Sequence, residues 1–160
     1  MPTTRAAAIE AAPPDGFPMP PPLSSDELRA FLAREFPQIH DDFVVEDVAP
    51  MRSLMRLVFR DRHLRPGGTI SGPAMFGLAD VSLYAAILGS LGPVALAVTT
   101  NLNINFIRRP EPVDLLGEAR LLKLGRRLAV GEVSIISTAN GELVAHAVGT
   151  YSVPPRDTVF

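Results

Sequence analysis

The fold is decided by residues 71–88, which read SGPAMFGLADVSLYAAIL. This run predicts a helix over Ala74–Leu88, because Pro73 suits the first turn of a helix and Ser71 or Gly72 can serve as its N-cap. The apolar residues leave the helix almost no polar face, and a helix of this kind is surrounded either by protein or by lipid.

The segment around this helix is nearly free of charge. Asp80 is the single charged residue between Pro66 and Ile107, whereas a chain with 20% charged residues would place about eight there. We therefore expect the segment to be buried over most of its length, with Asp80 buried in it or lining a cavity. A membrane span is disfavoured, because the predicted helix has only about 15 residues and carries a carboxylate near its middle.

Strand-like segments lie on both sides of the helix. Residues 99–106 predict a strand with one buried face, because polar and apolar side chains alternate from Asn101 to Phe106. Gly125–Arg127 and Asn140-Gly141 predict turns, the second of them a hairpin. The predicted strands are Phe43–Val48, Ser53–Phe59, Thr99–Phe106, Leu115–Leu124, Leu128–Ser137 and Leu143–Val153. We expect an α+β fold in which one antiparallel sheet wraps around the long helix, with the last four strands as a meander.

The N-terminal region differs in composition from the rest. Residues 1–22 hold seven of the sixteen prolines, so we expect a disordered or extended arm. They contain no apolar run long enough for a signal peptide, which makes the cytoplasm the expected location. Ser24 and Glu27 form a capping-box pattern that begins a short amphipathic helix, and Pro37 ends it. Residues 23–160 are expected to form one domain, with this helix packed over its outside or over an opening.

The composition excludes several classes of function. The formal net charge of −2 gives no positive field for nucleic acid or anionic lipid. The absence of cysteine excludes disulfides, thiol catalysis and thiolate metal sites. The three histidines, His40, His63 and His146, share no metal-ligand spacing, and the glycine-rich loop lacks the nucleotide-binding patterns. We therefore expect no metal, no cofactor, no nucleic-acid partner and no membrane association.

Asp80 is the first candidate for chemistry. An ionised carboxylate in apolar surroundings is costly unless hydrogen bonds relieve it. Asp80 is therefore either a structural residue bonded to backbone amides or a catalytic carboxylate in a partly desolvated pocket, and the second interpretation is favoured. Residues 67–73 lead directly into the helix start, where backbone amides can receive an anion such as the oxyanion of a thioester carbonyl.

Two further groups of residues have both a functional and a structural interpretation. His63 lies in the loop before the helix and is either a solvated surface residue or part of the site. Basic residues at strand ends form either a solvated rim or the phosphate contacts of a nucleotide-like ligand. These residues are Arg108, Arg109, Lys123, Arg126 and Arg127.

Together these features resemble the hotdog acyl-CoA thioesterases of the phenylacetic-acid pathway (PaaI-like). Members of that family carry His-Gly-Gly, then six residues, then an acidic residue on the central helix. Here Ser71-Gly72-Pro73 is followed by six residues and Asp80, so the spacing matches although two motif residues differ. Residues 106–110 and Gly125-Arg126 occupy the places of later family features, and the likeness covers residues 43–153.

The resemblance implies a role for each candidate. Asp80 would be the general base or nucleophile, and the Gly72 amide would polarise the thioester carbonyl. Ser71 or His63 would replace the family's histidine, while Pro73 removes one amide donor from the helix start. The acyl chain would lie along Met75 and Phe76, with the nucleotide against Arg108, Arg109 and Arg126. The family also implies a homodimer or homotetramer with sites between subunits, and the strand of Asn101, Asn103 and Asn105 is expected near that contact.

Two alternatives stay open at this point. The substitutions at Ser71 and Pro73 are compatible with an acyl-CoA binding module that has little catalysis. A hotdog hydratase or dehydratase needs a histidine beside the acid, for which His63 is the nearby candidate. Hydrolysis of an acyl-CoA thioester is the favoured interpretation.

Overall fold

A six-stranded antiparallel sheet wraps around one long helix in the computed structural model, which describes residues 22–155. The predicted arm over 1–22 lies, except for Pro22, outside the described residues. The helices are α1 (Ser25–Glu35) and α2 (Gly72–Leu91). The strands are β1 (Phe43–Ala49), β2 (Arg52–Leu57), β3 (Leu64–Arg65), β4 (Thr69–Ile70), β5 (Val98–Phe106), β6 (Leu115–Leu124), β7 (Leu128–Ser137) and β8 (Leu143–Ser152). This architecture confirms the predicted α+β hotdog fold.

Helix α2 is the core of the domain and extends beyond the predicted Ala74–Leu88 at both ends. It begins after Ser71, whose Oγ accepts a hydrogen bond from the Ala74 amide at 3.3 Å. It ends at Gly92, whose φ of +83° is a conformation that glycine adopts without strain. The helix is long and apolar enough to cross a membrane, but 78% of its most apolar window is buried inside the domain. It is therefore the core helix of a soluble fold.

The sheet approaches α2 closely at a pair of opposed glycines. Gly131 of β7 and Gly149 of β8 are cross-strand partners under Leu83 of the helix. A Cβ atom at Gly131 would lie 2.6 Å from Leu83 Cδ2, and one at Gly149 would lie 2.7 Å from Leu83 Cδ1. The missing side chains let the helix sit against the sheet, so the position of α2 depends on these glycines.

The strand order corrects the predicted four-strand meander. The order is β1-β2-β6-β7-β8-β5, so only β6, β7 and β8 form a meander, while β5 pairs with β8 at the sheet edge. The segment from β5 to β6 therefore crosses three strand spacings, about 14 Å. Its eight residues, 107–114, can span roughly 27 Å when extended. The links between β6, β7 and β8 are shorter and turn directly back.

The region before α2 is more ordered than the loop predicted for it. Residues 61–63 form a short 3₁₀ turn, and β3 and β4 form a small hairpin whose turn contains Gly67 and Gly68 at positive φ. Helix α1 has the predicted capping box between Ser24 and Glu27. Its buried residues Leu28, Phe31 and Leu32 belong to the hydrophobic core, as expected for a helix that covers the domain.

Candidate functional site

Asp80 lies in the middle of α2, half-buried, with hydroxyl partners on two strands. Its Oδ1 accepts hydrogen bonds from Thr99 Oγ1 at 2.6 Å and from the Tyr151 hydroxyl at 2.5 Å. Thr99 on β5 and Tyr151 on β8 are directly opposed in the sheet, so both reach the same oxygen from one face. The carboxylate is thus neither unpartnered nor bonded to backbone amides: two side-chain hydroxyls relieve its charge.

The second oxygen of Asp80 is available for chemistry. Among residues 22–155 no hydrogen bond reaches Oδ2, and this atom is not among the buried polar atoms without a partner. An oxygen without protein donors that water can reach keeps its lone pairs free. Oδ2 is therefore the atom through which Asp80 can accept a proton or attack a carbon.

A β-bulge brings Thr99 to this site. The register of β5 on β8 shifts between Thr99 and Asn101, and Leu102 and Ile104 pack against the core. Without the bulge, strict alternation would place Thr99 on the outer face together with Asn101 and Asn103. The extra residue turns Thr99 towards the helix, which is a common use of bulges beside functional sites.

The start of α2 offers one backbone amide to a ligand. Ser71 Oγ accepts from the Ala74 amide, Pro73 has no amide proton, and the Met75 amide bonds to the Ser71 carbonyl. Gly72 is left as the donor of the first turn, where the helix dipole favours negative charge. A Cβ atom at position 72 would lie 3.2 Å from the Phe106 ring, so a side chain there would press on that ring.

A cavity of about 490 Å³ opens at this helix start. Its wall is apolar where Ile70, Met75 and Phe106 lie, and cationic where three arginines lie. Arg108 donates to the Leu143 carbonyl at 2.9 Å, whereas neither Arg65 nor Arg109 forms an ion pair within the described part of the chain. The lining residues are Arg65, Thr69, Ile70, Ser71, Gly72, Pro73, Met75, Phe106, Ile107, Arg108, Arg109 and Pro110.

The two parts of the predicted site are far apart within one chain. Gly72 and Asp80 are eight residues apart on α2, which separates them by about 12 Å along the helix axis. Asp80 does not line the cavity at the helix start. One thioester group is too small to contact both residues of a single subunit.

Comparisons with known proteins identify the family. The chain matches the thioesterase superfamily model over residues 67–144. It is 32% identical over 114 residues to a candidate esterase from Pseudomonas aeruginosa, covering 70% of this chain and 83% of that relative. A crystal structure of a candidate thioesterase from Silicibacter sp. TM1040 is 53% identical, with a TM-score of 0.77 over 83% of this chain and 93% of that one. The chain belongs to the thioesterase superfamily.

A further solved structure bears on the type of thioesterase. A mutant form of the phenylacetic acid degradation protein PaaI from Thermus thermophilus is 27% identical, with a TM-score of 0.66 over 74% of this chain and 99% of that protein. These similarities confirm the predicted resemblance to PaaI-like hotdog thioesterases. They also establish that this protein is a hydrolase that acts on thioesters.

The thioesterase structure separates the predicted site residues into two groups. Ser71, Gly72, Met75, Arg108 and Arg109 all line the cavity. Outside that lining lie Phe76, which is 41% exposed on the surface of α2, and Arg126, which lies in the turn between β6 and β7.

His63 lies outside the cavity lining and connects the segment before α2 to the start of that helix. Its ring is buried, with Nδ1 accepting from the Arg60 amide at 3.0 Å and Nε2 lying 3.2 Å from Asp42 Oδ1 without hydrogen-bond alignment. Its carbonyl accepts from the Ser71 amide at 2.8 Å. His63 thus holds the residue that caps α2, and its ring does not line the cavity.

Three residues at the site were missed by sequence reasoning. Thr99 was assigned to the outer polar face, and no local signal marks the bulge that turns it inward. Tyr151 lies 71 residues from Asp80 and contacts it only because β8 pairs with β5. Arg65 ends β3 close to the helix start, and its charge there was the available signal.

Proposed function

We propose that this thioesterase hydrolyses an acyl- or aryl-acyl-coenzyme A, with Asp80 as its catalytic carboxylate. One observation carries the proposal: a half-buried carboxylate in the middle of the central helix is held through Oδ1 and leaves Oδ2 accessible. The superfamily supplies the reaction class, and the cationic cavity at the start of α2 suits a substrate that carries phosphates.

In the proposed reaction, Oδ2 of Asp80 takes a proton from water while the water oxygen bonds to the thioester carbon. The carbonyl oxygen becomes an oxyanion, which the Gly72 amide and the helix dipole stabilise. The carbon–sulfur bond then breaks, and the proton on Asp80 passes to the departing sulfur. Acyl-CoA and water thus give a carboxylic acid and the free thiol. Direct attack by Oδ2 on the carbon, followed by hydrolysis of the resulting anhydride, gives the same products through the same atom.

The reaction requires two copies of the chain. The oxyanion and the attacked carbon are bonded to each other, whereas Gly72 and Asp80 of one subunit are about 12 Å apart. We therefore assign each site to the Gly72 amide of one subunit and Asp80 of the partner subunit. Strand β5 supports this assembly, because no strand within residues 22–155 pairs with its outer edge, and Val98 and Phe106 are 58% and 53% exposed. A homodimer is the minimum assembly, and two dimers would form a tetramer.

The cavity suggests how the substrate lies. Arg65, Arg108 and Arg109 would bind coenzyme A phosphates, since guanidinium groups match phosphate geometry. Met75 would contact the acyl side of the thioester. The protein itself needs no cofactor for this reaction, because the coenzyme is part of the substrate. We place the enzyme in the cytoplasm, where acyl-CoA substrates are available.

A binding module with little catalysis is the second candidate, favoured by the single amide at the helix start. Ser71 and Pro73 leave Gly72 as the donor there, and a weaker oxyanion site lowers turnover more than affinity. The hydratase alternative depends on a histidine beside Asp80, and His63 points into the loop rather than into the cavity.

Turnover across a panel of acyl-CoA substrates, measured for the native protein and for Asp80→Asn, tests the proposed function. Loss of the base is expected to lower kcat by about a hundredfold or more. The melting temperature is expected to stay the same or rise, because the amide oxygen still accepts from both hydroxyls while the cost of a half-buried charge disappears. Asp26→Asn, an exposed carboxylate on α1, is the matched control and should keep full activity.

Two other outcomes would contradict this proposal. Tight binding of acyl-CoA without turnover by the native protein would identify the binding module instead. An Asp80→Asn protein that is less stable, but fully active per folded molecule, would show that Asp80 is structural.

A further inference from the structure

The hydroxyl of Tyr151 has an environment that suits a permanent hydrogen-bond donor. Its side chain is 3% exposed, and burial, followed by the nearby charge of Asp80, strongly raises the pKa of the phenol. The hydroxyl therefore stays protonated across the range in which the enzyme works. It lies 2.5 Å from Asp80 Oδ1 and 2.8 Å from the Asp80 carbonyl oxygen.

The ring that carries this hydroxyl is held by neighbouring aromatic side chains. Tyr151 stacks on Tyr84, with ring centroids 6.4 Å apart and ring planes at 17°. Phe36 packs edge-on against Tyr84, with ring centroids 6.3 Å apart. The Tyr84 hydroxyl donates to the Ala95 carbonyl and does not reach Asp80. Packing on this scale limits rotation of the Tyr151 ring and fixes the direction of its donor.

We propose that Tyr151 is a positioning residue for thioester hydrolysis, which holds Oδ1 of Asp80 so that Oδ2 is the oxygen that reacts. This inference rests on the proposed function, in which Asp80 acts on water or on the thioester carbon. A carboxylate on a single flexible bond can present either oxygen, and two donors on one oxygen select the other. Tyr151 does not touch the substrate in this arrangement, and it acts through Asp80.

One consequence distinguishes this role from simple packing. Without the hydroxyl, the carboxylate is less well oriented, so kcat should fall while KM changes little.

The test compares Tyr151→Phe with Tyr84→Phe. Both changes remove one hydroxyl from the same stacked pair and keep the ring, but only the first removes a contact to Asp80. For Tyr151→Phe we expect kcat to fall about 10- to 100-fold, the usual effect of a hydrogen bond to a charged group. For Tyr84→Phe we expect kcat within about twofold of native.

A spectroscopic measurement tests the same contact without using activity. The chain has only two tyrosines, so fluorotyrosine incorporated into Tyr84→Phe labels Tyr151 alone. Adding Asp80→Asn should shift its ¹⁹F resonance, because the charge beside the hydroxyl is lost, whereas adding Asp26→Asn at the exposed carboxylate of α1 should leave the resonance unchanged. This readout holds even if Tyr151→Phe folds poorly.

The outcomes separate this inference from the proposed function. If Asp80→Asn keeps its turnover, the proposed function fails. If Asp80→Asn loses turnover but Tyr151→Phe matches Tyr84→Phe in kcat, Asp80 is catalytic and the positioning role of Tyr151 is wrong. A ¹⁹F resonance that does not shift when Asp80→Asn is added would also overturn the positioning role.

Discussion

The most direct test of the helix start uses two substitutions of Ser71 that separate stability from turnover. Ser71 Oγ caps α2 by accepting from the Ala74 amide at 3.3 Å. Ser71→Ala removes this cap and should cost about 1 kcal/mol of unfolding free energy, while turnover per folded molecule changes little. Ser71→Asp keeps a cap and adds a negative charge where the helix dipole favours it, so stability should be unchanged or about 0.5 kcal/mol higher.

The added carboxylate should nevertheless inhibit the reaction. It would lie in the wall of the cavity, beside the Gly72 amide on which the oxyanion forms. Two negative charges about 6 Å apart repel by about 2–3 kcal/mol at an effective dielectric constant near 20. Because this repulsion develops in the transition state, kcat/KM should fall roughly 30- to 150-fold. The same charge would also attract the arginines away from substrate phosphates.

Steady-state kinetics and urea unfolding on the same preparations measure both effects. Ser24→Asp makes the same change at the N-cap of α1, away from the cavity, and should leave kcat/KM unchanged. If Ser71→Asp keeps native turnover while Ser71→Ala loses it, the Ser71 hydroxyl takes part in the chemistry and the oxyanion does not form at this helix start.

Two further predictions concern assembly and acid stability. If the β5 edges of two copies pair, Asn103→Glu places like charges close together at the contact. Light scattering should then show dissociation, and turnover should fall with the fraction of dimer. A fully active monomer at micromolar concentration would contradict the shared site. The Arg120 guanidinium holds the pKa of Glu132 below its ordinary value of 4.5, so Glu132 contributes stability at neutral pH that is lost as the pH falls through the lowered pKa. Below about pH 4.5 the urea midpoint of Glu132→Gln should therefore fall less than that of the native protein. An equal fall for the two proteins would show that Glu132 does not contribute to the loss of stability in acid.

Most elements could be predicted from the sequence, because their signals are local. The capping box at Ser24, the proline in the first turn of α2 and the turn residues after β6 each act within a few positions of the chain. The lack of charge around Asp80 identified the buried helix and made Asp80 the candidate residue on it. The motif spacing from Ser71 to Asp80, together with residues 106–110 and Gly125-Arg126, supported the resemblance to the family.

The arrangement of strands could not be predicted in the same way. Alternation shows which face of a strand is buried but not which strand lies beside it, and β5 pairs with β8 rather than with the next strand in the chain. The alternation also gave the wrong face for Thr99, because one extra residue in the strand reverses every side chain before it.

The sequence alone predicted that an apolar helix carrying one carboxylate would be enclosed by an antiparallel sheet, since this is the simplest arrangement that buries both. Only the tertiary structure decided what that carboxylate contacts. The pairing of β5 with β8 brings Thr99 and Tyr151 to one oxygen of Asp80 and leaves the other oxygen accessible. It also leaves β5 at the edge of the sheet, and the helix rise separates Asp80 from Gly72. These contacts join residues distant in sequence, so they depend on packing and pairing that no local pattern records.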